Sequence, residues 1–276
     1  MHSTDKPTVP HDLVRLDADH PGFRDPDYRA RRNEIARLAA SHHTRQPIPR
    51  ITYTARENAL WRHILGRLLP LQDEKASRFI VELRDRLAFS QTTIPQLVDL
   101  NPLLRRASGF EMIPVAGLVT PRAFLESLAR SAFPSTQYIR HASRPFYTPE
   151  PDVVHELVGH AATLTSSEIA DVSRRFGLAA SRAKTDDEVE RIVRMYWYTL
   201  EFGVVMEDGN PKAFGAGLLS SVDELTLFDR AGRLQAFDVD DIAATPYDPT
   251  QLQPRLFVAQ SVEALLGALD AWLPKR

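Results

Sequence analysis

The chain of 276 residues contains no cysteine. This absence excludes disulfides, thiolate nucleophiles, iron–sulfur clusters and zinc sites that use cysteine ligands. Any bound metal ion must therefore use histidine and carboxylate side chains. A chain without cysteine also fits a reducing compartment, so we expect a cytoplasmic protein.

The sequence also lacks an excess of charge of one sign and lacks long apolar runs. It has 34 basic and 36 acidic residues, which gives a formal net charge of −2. This balance disfavours a nucleic acid or an anionic membrane surface as a partner. We find no signal peptide and no apolar run of about 18 residues, the length that a bilayer span requires. A membrane protein is therefore not expected.

Helical periodicity dominates the chain. Three amphipathic segments lie between Asp27 and about Leu87, and a further helix is predicted from Pro121, capped by Thr120. The longest periodic segment, TDDEVERIVRMYWYTLEFGVV, opens with a capping box. Five short segments are strand candidates: FEMIPVAG, STQYIRH, KAFGAG, LQAF and RLFVAQS. The predicted class is mostly α with short β-strands.

The first 26 residues differ from the rest of the chain. They are polar, contain several prolines and show little periodicity. We interpret residues 1–26 as an N-terminal arm that is extended or partly disordered, and residues 27–276 as one domain. No chemistry is assigned to the arm, or to the seven histidines outside the HELVGH segment.

Two histidines in the segment HELVGH are the first candidates for a metal site. His155 and His160 are five residues apart, one more than in the HExxH metalloprotease pattern. On an ideal α-helix this spacing leaves the two side chains roughly 140° apart. A shared metal ion would therefore require the helix to end or to distort before His160, which Gly159 permits.

Glu201 is the third candidate ligand. It lies one turn after Trp197 and borders the buried stripe of the long helix, where an ionised carboxylate is costly unless it is paired or binds a metal. Two imidazoles and one carboxylate make the facial triad of non-haem iron oxygenases. The same set could hold zinc in a hydrolase, with Glu156 as the base. Spacing does not separate these alternatives, and a non-catalytic helical binding module is a third.

Three long segments resemble a known family. TQYIRHASRPFYTPEPDVVHELVGH, MYWYTLEFG and KAFGAGLLSS are similar, in order and spacing, to the catalytic domain of the tetrahydropterin-dependent aromatic amino acid hydroxylases. The resemblance covers roughly residues 100–265, with a weaker likeness upstream. It implies a single catalytic domain of that type, and it implies Fe(II) rather than zinc. It further implies a tetrahydropterin, such as tetrahydrobiopterin, as cofactor and O2 as co-substrate.

The resemblance also implies roles for the residues that match family motifs. His155, His160 and Glu201 would be the iron ligands. Glu156 matches the acid on the pterin side of the family's site, and Tyr196 matches an aromatic residue near the pterin. The segment GFEMIPVAGLVTPRAFL resembles the pterin-binding segment of the family, and its matching positions are Gly117, Leu118, Val119 and Phe124.

Four further matches concern the amino acid substrate. Arg140 matches the residue that binds the substrate carboxylate, for which a planar guanidinium fork is suited. Trp197 matches the aromatic floor beneath the substrate ring. Thr148 and Ser220 match positions that complete the carboxylate site or support the ligand shell, and Ser220 could orient a ligating histidine.

Departures from the family's patterns bear on the choice of substrate. Tyrosine hydroxylases typically have serine where this chain has Thr148, and tryptophan hydroxylases have phenylalanine where it has Trp197. L-Phenylalanine is therefore favoured, hydroxylated to tyrosine at the para position or, as 3-hydroxylation, at the meta position. Tryptophan is the alternative within the family. Three unusual residues are candidates for the wall that sets selectivity: Pro134, Ser135 and Pro249.

Two features of the family are not found in the sequence. No regulatory domain fits before the helices of the catalytic domain, and no tetramerising coiled coil follows them. We therefore expect a monomer that acts on a small molecule and has no nucleic-acid or membrane partner.

Overall fold

The computed structural model describes residues 16–43 and 46–274. In these residues helices predominate and the strands are short, which confirms the predicted class. The helices are α1 (Pro26–Ala40), α2 (Ala55–Lys75), α3 (Arg78–Leu87), α4 (Leu97–Ala107), α5 (Pro121–Ala129), α6 (Ser167–Arg182), α7 (Asp186–Tyr196), α8 (Ala216–Leu219), α9 (Val222–Leu227), α10 (Val239–Ala244) and α11 (Val262–Trp272). Two segments are wound as π-helices, which we call π1 (His155–Ala161) and π2 (Trp197–Glu201).

The predicted helix starts agree with the structure. Thr120 caps α5 by accepting a hydrogen bond from the backbone of Ala123. Thr185 and Glu188 form the predicted capping box of α7. The end of the long helix was predicted wrongly, because α7 continues only through π2 and Val204 begins a strand.

The strands form two sheets. They are β1 (Glu111–Pro114), β2 (Ala132–Ser135), β3 (Val204–Glu207), β4 (Asn210–Ala213), β5 (Leu234–Ala236) and β6 (Leu256–Ala259). β1 pairs with β2 in parallel. The second sheet has the order β4-β3-β6-β5, in which only the β3–β4 pair is antiparallel.

Four of the five strand candidates overlap an observed strand. The fifth, STQYIRH, shares only its first residue with a strand. The strand in this region lies just before it, as β2. Backbone groups of Tyr138 and Arg140 bond instead to Asp152 and Val153, just before π1. The backbone N–H of Arg140 donates to Asp152 at 2.7 Å, and the carbonyl of Tyr138 accepts from Val153 N at 2.8 Å. These bonds replace a strand ladder.

π1 lies in the main hydrophobic core and packs against α8. Its residues Leu157 and Val158 are almost fully buried. Gly159 touches α8 so closely that an added Cβ would lie 2.8 Å from the carbonyl oxygen of Ala216. A larger residue would push π1 away from α8. The core therefore fixes the segment that carries both candidate histidine ligands.

Two further expectations concern the chain as a whole. None of the helices formed by residues 16–43 and 46–274 has the length and apolarity needed to span a bilayer. Residues 1–15 of the predicted arm lie outside the described residues, whereas residues 16–25 form turns that lead into α1. The division of the chain at residue 26 stays a prediction.

Candidate metal centre and cleft

The π-helical winding of π1 brings the two histidines together. In a π-helix the backbone hydrogen bond joins residues five apart, so side chains with this spacing lie above one another. The Nε2 atoms of His155 and His160 are 3.0 Å apart, and the ring planes meet at 81°. The predicted distortion of the helix is confirmed, and it takes the form of wider winding rather than a helix end.

Glu201, the last residue of π2, completes the cluster. Its Oε1 lies 3.0 Å from Nε2 of His160, and its Oε2 lies 3.6 Å from Nε2 of His155. The candidate ligand atoms all lie within 4.8 Å of one another. Two donors that each bind a metal at about 2.1 Å, at right angles, are about 3 Å apart. The three side chains therefore fit one metal ion, and no second group of this kind occurs among the described residues.

Two of the three side chains are in the protonation state that a metal ligand needs. Burial lowers the pKa of His155 to about 4, so its imidazole is neutral, as a ligand must be. Burial alone would raise the pKa of Glu201, but the charge and hydrogen bond of His160 outweigh burial and lower it. The carboxylate is therefore ionised. Burial opposes a charge on His160, but the charge and hydrogen bond of Glu201 raise its pKa, and a metal ion would displace this proton on binding.

Ser220 sets the tautomer of His155. The Ser220 hydroxyl donates to the carbonyl of Ala216 at 2.8 Å, so its oxygen is left to accept from Nδ1–H of His155 at 2.9 Å. With the proton on Nδ1, the lone pair of Nε2 points to the cluster. This contact is the support from Ser220 that the sequence analysis proposed.

Glu156 lies beside the cluster without joining it. Its Oε1 accepts hydrogen bonds from the backbone N–H and the hydroxyl of Thr136, both at 3.0 Å. Burial raises its pKa to about 7. Near neutral pH this carboxyl group can therefore either hold or release a proton.

The cluster opens into a cleft of about 560 Å³. It is lined by all the residues that match iron, pterin or substrate positions of the family: Gly117, Leu118, Val119, Phe124, Arg140, Thr148, His155, Glu156, His160, Tyr196, Trp197, Glu201 and Ser220. Pro134 and Pro249 line it as well. Ser135 does not, because its side chain is fully buried and donates to the carbonyl of Thr136, so its assignment to the selectivity wall was wrong.

One side of the cleft is apolar and open. Leu118 and Val119, in the loop between β1 and α5, are 69% and 38% exposed. Phe124 follows on α5, with its ring edge-on to Phe133 and Tyr196 at centroid distances of 5.4 Å. This arrangement offers an apolar surface in the cleft that Glu156 also lines.

Arg140 is almost fully buried, and a carboxylate already occupies one edge of its guanidinium. Nε and Nη2 donate to Asp152 at 2.9 and 2.6 Å, and Nη1 donates to the carbonyl of Ser220 at 3.3 Å. This edge of the guanidinium is therefore not available to a substrate carboxylate. Since a guanidinium has five N–H donors, two remain for a ligand in the cleft.

Three features of the site were missed by sequence reasoning. Asp152 pairs with Arg140 and accepts from the backbone N–H of His155 at 3.1 Å, a helix-capping pattern that the spacing of the two residues could have indicated. Thr136 carried no signal. His20, in the arm, is buried, pairs with Glu150 at 2.9 Å and lines the cleft, although no chemistry was assigned to it.

The chain is similar in sequence to proteins of known activity. A family model described as biopterin-dependent aromatic amino acid hydroxylase matches residues 7–274. Phenylalanine-4-hydroxylase of Caenorhabditis elegans is 42% identical over 265 residues, which are 94% of this chain and 58% of that protein. Tyrosine 3-monooxygenase of Rattus norvegicus is 43% identical over 251 residues, which are 89% of this chain and 50% of that protein. The chain thus spans about half the length of these curated relatives.

Solved structures show the same fold. A phenylalanine hydroxylase structure from Chromobacterium violaceum, with bound iron(III) and 7,8-dihydrobiopterin, superposes with a TM-score of 0.77 at 31% identity, over 85% of this chain and 88% of that one. The apo phenylalanine hydroxylase of Colwellia psychrerythraea gives a TM-score of 0.74 at 28% identity, over 80% and 84%. The match of the family model over nearly the whole chain, with the triad and cleft described above, establishes that the chain belongs to the biopterin-dependent aromatic amino acid hydroxylase family.

Proposed function

We propose that this chain is a non-haem Fe(II), tetrahydropterin-dependent monooxygenase that hydroxylates the aromatic ring of a free amino acid. The observation that carries the proposal is the triad of His155, His160 and Glu201, which lines an otherwise largely apolar cleft. A zinc-dependent hydrolase and a non-catalytic binding module lose their support, because the chain belongs to a family of hydroxylases.

The triad would hold the iron. His155 presents Nε2 because Ser220 holds the other ring nitrogen, and Glu201 supplies the negative charge. Three protein ligands leave the remaining coordination positions free. Bound iron and a reduced pterin would together supply the chemistry that activates O2 for transfer of one oxygen atom to an aromatic ring.

The apolar side of the cleft would take the pterin. Gly117, Leu118 and Val119 offer backbone groups in an open loop, and Phe124 offers a ring for stacking. The carboxyl group of Glu156 lines the same cleft, and burial raises its pKa to about 7. It could therefore exchange a hydrogen bond or a proton with a ring nitrogen of the pterin near neutral pH. Tyr196 closes the same side, packed edge-on against Phe124.

The amino acid would lie between Arg140 and Trp197. The two free N–H donors of Arg140 suit the substrate carboxylate, and Thr148 lines the same cleft. The indole of Trp197 forms a flat floor for the ring. We propose L-phenylalanine as the substrate, with para or meta hydroxylation, because Trp197 and Thr148 depart from the tryptophan and tyrosine patterns. Relatives that act on phenylalanine and on tyrosine match at similar identity, so overall identity does not decide the substrate.

One experiment tests the reaction. The protein is loaded with Fe(II) and incubated with tetrahydrobiopterin, O2 and, separately, phenylalanine, tyrosine and tryptophan, and products are identified by chromatography against standards. We expect tyrosine or meta-tyrosine from phenylalanine, and none from Glu201→Ala, which should also lose iron. An iron-loaded wild type that turns over none of the three amino acids would refute the proposal. A preference for tryptophan would refute only the substrate.

The monomeric state and the cytoplasmic location stay predictions. Sedimentation of the purified protein at several concentrations tests the first. A sedimentation coefficient that rises with concentration would contradict it.

A further inference from the structure

Gln253 is a buried side chain outside the cleft that touches two of its walls. It lies just before β6 and is 1% exposed. Its Oε1 accepts from the indole N–H of Trp197 at 3.0 Å. Its Nε2 donates to the carbonyls of Asp248 and Gln251, at 2.8 and 2.9 Å. Both N–H donors of the carboxamide are therefore used on one loop, while the acceptor is used on the floor of the cleft.

The backbone of Gln253 is itself anchored. Its N–H donates to Oε1 of Glu224 at 2.7 Å, and its carbonyl accepts from Nε of Arg233 at 2.7 Å and from a second nitrogen of the same guanidinium. Arg233 and Glu224 also pair with each other at 2.8 Å. A residue held at both its backbone and its side chain can transmit position between the groups that it contacts.

The two groups that Gln253 joins face the same space. Trp197, the proposed floor for the substrate ring, lines the cleft, and so does Pro249 of the loop 247–251. The Trp197 indole also stacks on Tyr247 of this loop, with centroids 4.3 Å apart and planes at 26°. Stacking permits sliding and tilting, whereas the hydrogen bond to Gln253 fixes the direction of the indole N–H.

We infer that Gln253 is a positioning residue that sets where the substrate ring lies, by locking the indole of Trp197 to the loop 247–251. The inference rests on the proposed function, since it concerns the amino acid placed over Trp197. Hydroxylation at one ring carbon rather than its neighbour requires the ring to be held within about 1 Å, because the outcome of a positioned reaction is sensitive to such shifts. Trp197 and the loop 247–251 can hold the ring this closely only if they do not move relative to each other.

Two variants separate the halves of the link. Gln253→Met keeps the length of the side chain and removes the acceptor and both donors. Gln253→Glu keeps an acceptor for Trp197, but it places an oxygen where two carbonyls need a donor. The matched control is Gln96→Met, since the Gln96 carboxamide likewise accepts from and donates to the backbone of Ile51, at 2.9 and 3.1 Å, away from the cleft.

The first measurement does not depend on turnover. Hydrogen exchange of the indole N–H groups is followed by NMR in protein labelled with 15N-tryptophan, and the Trp197 signal is assigned by its loss in Trp197→Phe. We expect slow exchange in the wild type and in Gln96→Met, and at least roughly tenfold faster exchange in Gln253→Met. Fast exchange of the Trp197 indole in the wild type would overturn the inference without any variant.

The second measurement is selectivity. The ratio of para to meta product, and the ratio of kcat/KM for phenylalanine over tryptophan, are compared at equal iron content. We expect Gln253→Met and Gln253→Glu to change at least one ratio severalfold, and up to roughly tenfold. The KM for the pterin and all properties of Gln96→Met should stay as in the wild type.

The two measurements together show whether Gln253 positions the substrate or only stabilises the fold. Loss of indole protection with both ratios unchanged would show that the link does not position the substrate. An equal rise in the KM of pterin and amino acid would indicate a general structural defect, which also overturns the inference. If Gln253→Met does not fold, Gln253→Glu and the wild-type exchange decide. A wild type that turns over no amino acid would instead refute the proposed function, while indole exchange still tests the link.

Discussion

The Arg140–Asp152 pair predicts a large and measurable coupling in stability. Both side chains are almost fully buried, at 2% and 1% exposure. Asp152 accepts four N–H groups, two from the Arg140 guanidinium and one each from the backbones of Arg140 and His155. Removal of either partner leaves the other charge buried and unpaired. Such a loss typically costs about 3–5 kcal/mol, whereas neutral replacement of both partners costs much less.

A double-mutant cycle measures the coupling between Arg140 and Asp152. Arg140→Met and Asp152→Asn should each lower the free energy of unfolding by about 3–5 kcal/mol. Asparagine keeps one oxygen for the backbone N–H of Arg140 or His155, so the double variant leaves no buried charge and only part of the capping is lost. We therefore expect the double variant to lose less than about 2 kcal/mol. Urea unfolding of the metal-free proteins, followed by circular dichroism, measures the four free energies.

The same cycle separates folding from binding. If Arg140 holds the substrate carboxylate, the double variant should recover stability without recovering affinity for the amino acid. Loss of a hydrogen-bonded charge partner costs about 2 kcal/mol or more, which corresponds to a rise in amino acid KM of about 30-fold or more. The pterin KM should change little. Additive stability losses in the double variant would refute the pairing argument, and a normal amino acid KM would refute the role of Arg140.

Three further predictions follow from contacts around the cleft. Ser220→Ala frees the Nδ1–H of His155 and should weaken Fe(II) affinity by about 10–100-fold in metal titrations, whereas Ser135→Ala should not. In the metal-free protein burial raises the pKa of Glu156 from 4.5 to about 7. As pH rises between these values, the unfolded chain loses this proton while the folded protein keeps it, so the stability of the wild type falls relative to that of Glu156→Gln. The fall should reach about 3 kcal/mol in urea unfolding, and a pH-independent difference would contradict it. Arg32→Ala leaves Glu150 without its main partner in a buried pair and should cost about 3 kcal/mol, seen as a lower urea midpoint; an unchanged midpoint would contradict the pairing.

The ligand set could be predicted from sequence, but its geometry could not. The spacing of His155 and His160 excluded an ordinary α-helix around a shared metal, so a distortion was expected. Whether the chain ends the helix or winds it more widely depends on packing against α8, which lies some sixty residues further along the chain. The capping box of α7 was predictable because it is a local pattern within four residues.

Partners that are distant in sequence account for most of what was missed. The pairing of His20 with Glu150 joins a turn in the arm to the loop before π1, across 130 residues, and no local pattern reveals it. The occupied edge of Arg140 has the same origin, since Asp152 meets it only after the chain has folded. The segment STQYIRH has the composition of a strand, yet its backbone N–H groups at Thr136 and Arg140 donate to the side chains of Glu156 and Asp152. Functional sites often override local propensity in this way.

All three candidate ligands lie on backbone wound as a π-helix, with His155 and His160 in π1 and Glu201 at the end of π2. Such winding is rare because its hydrogen bonds and packing are poorer than those of an α-helix. A metal ion that binds only the folded arrangement stabilises it by mass action, so metal binding and local winding are thermodynamically linked. Removal of the metal should therefore increase the rate at which these two segments open, while the α-helices around them keep their protection from hydrogen exchange. In this protein the metal would stabilise the π-helical backbone as well as take part in the reaction.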